Sequence, residues 1–220
     1  MTGLGSFWPL FDLVVRTPRL EWRLPRDEEF ADLIAVVDAG VHDPELMPFT
    51  IPWTDQEPAV RAVSAAQHWW GARAHWSVDD WGFTGAVFVE GRPVGVQGMF
   101  AKKFRIVRSV ESGSWLGKEY QGRGLGREMR EAMLHLAFAG LGAQEAVSGA
   151  FEDNAASLAV SRSVGYIENG EGRMSRREES ARMIRFRLDR KTWEQRRRED
   201  IDIAGLDSCL HMFVGPTLAG

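Results

Sequence analysis

The stretch Gln121-Gly122-Arg123-Gly124-Leu125-Gly126 decides how the rest of the chain is read. It follows an apolar segment ending Ser114-Trp115-Leu116-Gly117. It opens a run in which apolar residues recur at helical spacing: Leu125, Met129, Ala132, Met133, Leu136 and Ala137. The pattern predicts a helix from about Arg127 to Ala139 with one buried face. Arg127, Glu128, Arg130 and Glu131 fall mostly on the other side. A glycine-rich loop between a strand and a helix N-terminus turns several backbone N–H groups toward one point. Those donors and the positive end of the helix dipole favour a phosphate or pyrophosphate. Glycine lets the backbone approach the anion closely and take positive φ where the turn needs it.

Two common phosphate loops do not fit. A dinucleotide fingerprint starting at Gly122 needs glycine where Arg127 stands, and it normally closes the first strand of a domain rather than one past the midpoint. A Walker loop needs Gly-Lys-Ser/Thr after its spacer, and the sequence has none there. The pattern that is met is Gln/Arg-x-x-Gly-x-Gly/Ala, through Gln121, Gly124 and Gly126.

Composition sets the outer bounds. A chain of 220 residues with 44% apolar and 26% charged residues has room for a proper core and is not a disordered polymer. A net charge of -4 without a basic excess argues against a nucleic-acid-wrapping surface. No apolar run reaches the ~20 residues of a membrane span. The start, Met1-Thr2-Gly3-Leu4-Gly5, lacks the basic and apolar regions of a signal peptide. A single cysteine, Cys209, excludes an intrachain disulfide and fits a reducing cytosol, so a cytoplasmic location is expected. That thiol, in a tail without chemical context, is expected to be buried and inert. His42, His68, His75, His135 and His211 are scattered without ligand spacing, so no metal is expected.

Along the chain, Leu20–Leu24 alternates as a half-buried strand. Asp27 is placed to cap a helix from about Glu28 to Ala39, which Gly40 ends. Prolines at 44, 48, 52 and 58 break the next stretch, and a helix from Pro58 to about Ala74 follows. Phe49, Trp53, Trp69, Trp70 and Trp76 in this region form either an aromatic wall or core. Gly82–Val89 and Pro93–Phe100 read as a hairpin around Glu90-Gly91-Arg92. Ile106–Leu116 reads as the next strand, with a bulge signal at Ser112-Gly113. A short strand at Ala146–Phe151, a helix from Ala155 to Val164 closed by Gly165, and strands from Tyr166 and across Ile184–Leu188 complete the pattern. Lys191–Asp200 reads as a charged surface helix. The apolar tail, with Ile201, Ile203, Leu206, Leu210, Phe213 and Val214, is expected to pack on the domain or on a partner subunit.

With these residues in place, the chain resembles the GCN5-related N-acetyltransferase (GNAT) superfamily, and within it the RimJ/RimL-like branch. The resemblance covers about residues 16–190. It rests on Gln121–Gly126, on Thr17-Pro18-Arg19-Leu20, on Glu111-Ser112-Gly113-Ser114-Trp115-Leu116 (the branch often has Tyr where Ser114 stands) and on Asn154 with Ser157. It implies a single α/β (α+β) domain over residues 1–195: a mixed, mostly antiparallel sheet flanked by helices, with its central strands splayed by a bulge to admit pantetheine. Residues 196–220 are then a C-terminal extension.

The implied activity is acyl-CoA-dependent N-acyl transfer to a primary amine by direct attack. Acetyl-CoA is the default donor and succinyl-CoA a further one, whose carboxylate the basic residues Lys102, Lys103, Arg105 and Arg108 could meet. By resemblance, Gln121, Gly122, Arg123, Gly124, Leu125, Gly126 and Arg127 grip the pyrophosphate through backbone amides. Trp115 and Leu116 pair with pantetheine, Asn154 binds its arm, and Arg162 lies near the 3′-phosphate. Ser157 donates a proton to the leaving thiolate. Glu111 is the candidate general base, with Glu152 or a water relay as alternatives. The acceptor is a small-molecule amine or a protein N-terminal or lysine amine, in a homodimer or higher oligomer that engages neither nucleic acid nor membrane. A non-catalytic CoA sensor on the same fold is the rival reading.

Overall fold

In the computed structural model, which describes residues 4–215, one nine-stranded sheet carries the whole molecule. Met1–Gly3 and residues 216–220 lie outside the described residues. They include most of the stretch read for a signal peptide and the end of the C-terminal extension.

The strands are β1 (Val14–Arg16), β2 (Glu21–Arg23), β3 (Asp80–Val89), β4 (Arg92–Lys102), β5 (Ser109–Leu116), β6 (Glu145–Phe151), β7 (Ile167–Arg176), β8 (Glu179–Asp189) and β9 (Asp202–Ala204), in spatial order β7-β8-β6-β5-β4-β3-β2-β1-β9. Every pairing is antiparallel except β5 with β6. The β3–β4 hairpin closes through Glu90 (φ 51°) and Gly91 (φ 77°), the paired left-handed conformation that matches the twist of two-residue hairpins.

Helices cover both faces. On one side lie α1 (Phe30–Asp38) and α2 (Pro58–Ala74), which pack Phe30, Leu33 and Trp69 on Ala86, Phe88 and Val96. On the other lies α4 (Leu125–His135), which continues as a wider turn through Leu136–Gly140 and buries Leu125, Met129, Ala132, Met133 and Leu136 on the sheet. The same layer holds α5 (Ala155–Ser163), the short α6 (Arg190–Glu194) and α7 (Leu206–Val214). A short α3 (Phe104–Val107) connects β4 to β5.

Several expectations change. The strand expected from Ile106 begins only at Ser109. Residues 104–107 form a helical turn flanked by left-handed Lys103 (φ 51°) and Arg108 (φ 54°). The bulge expected at Gly113 is absent: the register with β4 runs unbroken from Gly95↔Leu116 to Phe100↔Glu111. Asp27 does not cap α1. It accepts from Trp70 Nε1 at 3.0 Å and from the Arg73 guanidinium. The charged helix expected over Lys191–Asp200 stops at Glu194.

The C-terminal segment adds to the domain. β9 pairs antiparallel with β1, and α7 buries Cys209 and Phe213 completely. Trp76 Nε1 donates to Met212 O at 3.0 Å and Trp81 Nε1 to Phe213 O at 3.1 Å.

Candidate active site

The site begins where two parallel strands part. The β5–β6 ladder holds only Ser109↔Glu145, Val110↔Ala146 and Glu111↔Val147. Beyond those pairs β5 continues beside β4 and β6 continues beside β8. The opening therefore comes from divergence of β6, not from an inserted residue in β5. Gly117 N–H donates to Val94 O at 2.9 Å, which fixes the alternation of β5. It turns the N–H groups of Ser112, Ser114 and Leu116 away from β4, toward the opening.

The glycine-rich loop lies at the C-terminal end of these strands. Gly122 (φ 73°) and Gly124 (φ 79°) hold left-handed conformations that side chains disfavour. Gly126 has ordinary φ, and a Cβ there would lie 3.6 Å from Val160 and 3.7 Å from Leu116, ordinary contact distances. That is why the pattern tolerates Gly or Ala at this position. Gln121 is a structural member: its Nε2 donates to Val41 O (2.7 Å) and Leu116 O (2.9 Å), and its N–H to Lys118 O (3.3 Å). The expectation that the Gln121 amide faces the anion is corrected accordingly. Glu128 N–H is taken by Gly124 O at 3.1 Å. Between them, the N–H groups of residues 122–127 have no hydrogen-bond partner among the described residues. Residues 121–124 are exposed, so these donors face solvent at the positive end of α4.

A brace missed by sequence reading fixes this loop from behind. Glu128 is 4% exposed and accepts from Thr17 Oγ1 (2.6 Å), Arg19 Nε (2.5 Å) and Arg19 N–H (3.3 Å). Arg19 Nη1 in turn donates to Arg123 O at 2.9 Å. The Thr17–Leu20 turn is thereby tied to both the loop and the helix.

The other expected residues divide. Asn154 caps α5 through its side-chain oxygen, which accepts from Ser157 N–H at 3.1 Å. Asn154 and Ser157 thus sit at the end of β6, across the opening from the loop. Arg162 is elsewhere engaged, donating to Glu168 at 2.6 Å. Trp115 is half-buried and faces α1 and α2, whereas Leu116 is buried toward α4. Glu111 is exposed, on the same face as Trp115, and has no ion pair among the described residues. Glu152, the alternative base, is bound to Arg182 Nη1 at 3.1 Å.

The aromatic residues also separate into two groups. Trp69 packs on Phe30 at 4.5 Å between ring centroids, and Trp76 stacks on Trp81 at 5.8 Å; both belong to the core. Phe49, Trp53 and Trp115 form a half-buried row, with centroids 5.1 and 5.9 Å apart, that leads to the face bearing Glu111. The cations expected to meet a carboxylate lie at the far end of β5. Lys103 pairs with Asp79 at 2.7 Å, Arg105 with Asp79 at 3.5 Å and Lys102 with Asp80 at 3.7 Å, and Arg108 donates to Leu141 O at 3.1 Å. Cys209 takes no part: burial pushes its thiol up to about 12.

Residues 19–167 match the acetyltransferase (GNAT) domain family. The chain belongs to the GNAT family. It is an N-acyltransferase that uses an acyl-CoA cosubstrate. Solved structures share its fold. Mycobacterium smegmatis RimJ in complex with CoA-disulfide superposes with a TM-score of 0.72 at 18% identity, over 92% of this chain and 95% of that one. The RimL ribosomal L7/L12 alpha-N-protein acetyltransferase in complex with coenzyme A gives 0.64 at 16% identity, over 80% and 97%. The microcin C7 self-immunity acetyltransferase MccE, in complex with acetyl-CoA and AMP, gives 0.60 at 13%, over 78% and 93%. At these identities the likeness is one of fold. No helix among the described residues is long and apolar enough to cross a membrane.

Proposed function

We propose that this GNAT acyltransferase holds the diphosphate of acetyl-CoA on the N–H groups of residues 122–127 and passes the acyl group to an amine that enters from the α1/α2 face. One observation carries the reading: partnerless main-chain donors and the opening between β5 and β6 coincide at the same end of two parallel strands. Ser112, Ser114 and Leu116 offer their N–H groups to the amide and thioester carbonyls of the arm, in the manner of a neighbouring strand. Asn154 and Ser157 line the opposite bank. A crevice beside α4 holds Arg196, which has no ion pair among the described residues and supplies a cation for the adenosine end of the cosubstrate, beside Arg127 and Arg197, which are paired with Glu131 and Glu199.

Glu111 is the base in this reading because it is unpaired and shares a face with Trp115, whereas Glu152 is already committed to Arg182. It takes the proton that the amine loses as its nitrogen bonds to the acyl carbon. The carbon–sulfur bond breaks and Ser157 supplies a proton to the departing sulfur. The row Phe49–Trp53–Trp115 supports an acceptor that presents its amine beside an apolar or aromatic group. RimL, an alpha-N-protein acetyltransferase of ribosomal L7/L12, adds peptide N-termini to the acceptors worth testing first. Donors longer than acetyl, succinyl among them, belong to the same proposal.

A free-thiol assay with acetyl-CoA and a panel of amines, including peptides with free N-termini, tests the reading. Amine-dependent thiol release is expected. Tight CoA binding with no release from any pairing would replace the enzyme by a CoA sensor.

A further inference from the structure

Arg130 lies on α4, one turn beyond Gly126, and is 3% exposed. Among the described residues no carboxylate pairs with it. Its Nη1 meets Ser148 Oγ at 3.2 Å, its Nη2 meets Ser114 Oγ at 3.4 Å, and its Nε has no partner. Ser114 belongs to β5 and Ser148 to β6, each beyond the last paired residues Glu111 and Val147. The guanidinium therefore bridges the two strands where their ladder has stopped. Two more buried hydroxyls, Ser112 Oγ and Tyr166 OH, lie beside each other and close to Arg130, without a well-formed hydrogen bond to any other group.

The contrast with neighbouring arginines is sharp. Arg19 is bound to Glu128, Arg127 to Glu131, and Arg198 to Glu131 and Asp200. A guanidinium withdrawn from water and left without a counter-charge is unfavourable. The residues around it on the two strands are hydroxyls, and the Tyr166 ring lies under its Cζ at 5.9 Å from the centroid. These contacts partly offset the charge and supply no anion.

We propose that Arg130, with Ser114 and Ser148, forms a subsite for a carboxylate on the acyl chain of the donor, so that the preferred cosubstrate is the CoA half-thioester of a dicarboxylic acid. This rests on the transferase reading above. The planar guanidinium matches a carboxylate in shape and charge. Its position favours the acyl chain over the acceptor as the source. Ser112, Ser114 and Ser148 lie on the α4 face, whereas Glu111, Gly113 and Trp115 lie on the α1/α2 face. An acceptor's carboxylate would have to cross the sheet to reach Arg130; the acyl chain is already within the opening. Of the cations at the far end of β5, Lys102, Lys103 and Arg105 are paired with Asp79 and Asp80, and Arg108 is turned to Leu141 O.

The test is thiol release from succinyl- and glutaryl-CoA against acetyl- and propionyl-CoA, with an amine acceptor that carries no carboxylate. A charge-assisted contact predicts a preference of about 10- to 100-fold in kcat/KM for the dicarboxylic donors. In Arg130→Leu that ratio falls toward parity, and Arg130→Lys keeps part of it. Melting temperature and affinity for CoA itself report whether the variants fold. Should both variants fail to fold, the donor preference of the native protein still decides. Equal or greater turnover of the neutral donors overturns the subsite and leaves the transferase reading intact. So does a preference that survives in a folded Arg130→Leu. In a second arm with acetyl-CoA, faster turnover of a carboxylate-bearing acceptor than of its neutral analogue overturns it as well, by assigning the cation to the acceptor. No thiol from any donor overturns the subsite and the transferase reading together.

Discussion

Replacing Glu128 by glutamine tests whether the loop is held by a charge or only by its shape. The carboxylate is 4% exposed and gathers Thr17 Oγ1 at 2.6 Å, Arg19 Nε at 2.5 Å and Arg19 N–H at 3.3 Å. Hydrogen bonds to a charged group contribute about 1.5–3 kcal/mol. Two effects reduce that figure. The Arg19 side chain is 50% exposed, so solvent screens the ion pair. Glutamine also retains one carbonyl oxygen for Thr17. The expected cost of E128Q is therefore about 1–2 kcal/mol. In a chain of this length each kcal/mol moves the melting temperature by about 2–4 °C, so a fall of about 2–8 °C is expected.

A second readout separates stability from site geometry. Arg19 also holds Arg123 O at 2.9 Å, so its release loosens the donors that face the diphosphate. Affinity for CoA, measured by calorimetry well below the melting temperature, is expected to weaken about 3- to 10-fold through lost preorganisation. A Thr17→Val, Glu128→Ala cycle should show coupling of about 0.5–1.5 kcal/mol, because each substitution removes the one hydrogen bond that the two residues share. A melting temperature within about 1 °C of the native value, with unchanged CoA affinity, would refute the brace.

At the loop, Gly124→Ala forces a side chain into φ 79° and should cost about 1–2 kcal/mol with weakened CoA binding, whereas Gly126→Ala fits its 3.6 Å surroundings; denaturant titrations of the two compare them directly. Glu111→Gln should lower kcat about 100-fold or more with CoA affinity unchanged, and a kcat equal to the native one would take Glu111 out of the mechanism. Phe213→Ala should cost about 3–5 kcal/mol, since the ring is fully buried against Trp76, Trp81 and Phe83; urea unfolding measures it. The Cys209 thiol is raised by burial from 9.0 to about 12, so the folded protein keeps its proton where the unfolded chain loses it. Its contribution to stability is complete below pH 9 and is lost between pH 9 and about 12. Iodoacetamide at pH 8 should leave Cys209 unmodified until denaturant is added, as mass spectrometry would show.

What the sequence discloses depends on how local its cause is. The loop is legible because positive φ at Gly122 and Gly124 is a property of those residues themselves. The Pro58–Ala74 helix and the Glu90-Gly91 hairpin are legible for the same reason. Glu128 and Arg130 are not. Helical periodicity identifies one buried stripe and assigns the remaining positions to solvent, but α4 is enclosed on further sides by the Thr17–Leu20 turn and by the opening between β5 and β6. One signal for Arg130 is its place four residues after Gly126, on the side of α4 that meets Val160 and Leu116. Residues 104–107 misled because Ile106 and Val107 are apolar yet 71% and 57% exposed. Gly113 suggested a bulge, but divergence of β6 opens the strands, and no residue in β5 encodes the path of its neighbour.

β9 is only three residues long, yet it occupies the whole outer border of β1, from Val14↔Ala204 to Arg16↔Asp202. A polypeptide cut after Glu194 would keep the catalytic half of the sheet and bare that border's amides and carbonyls. It would also strip Trp81 and Phe83 of the Phe213 ring that covers them. Bare borders recruit strands from other molecules. Precipitation of such a shortened protein would therefore report self-association along β1 rather than a failure of the chemistry between β5 and β6, in the interior of the sheet.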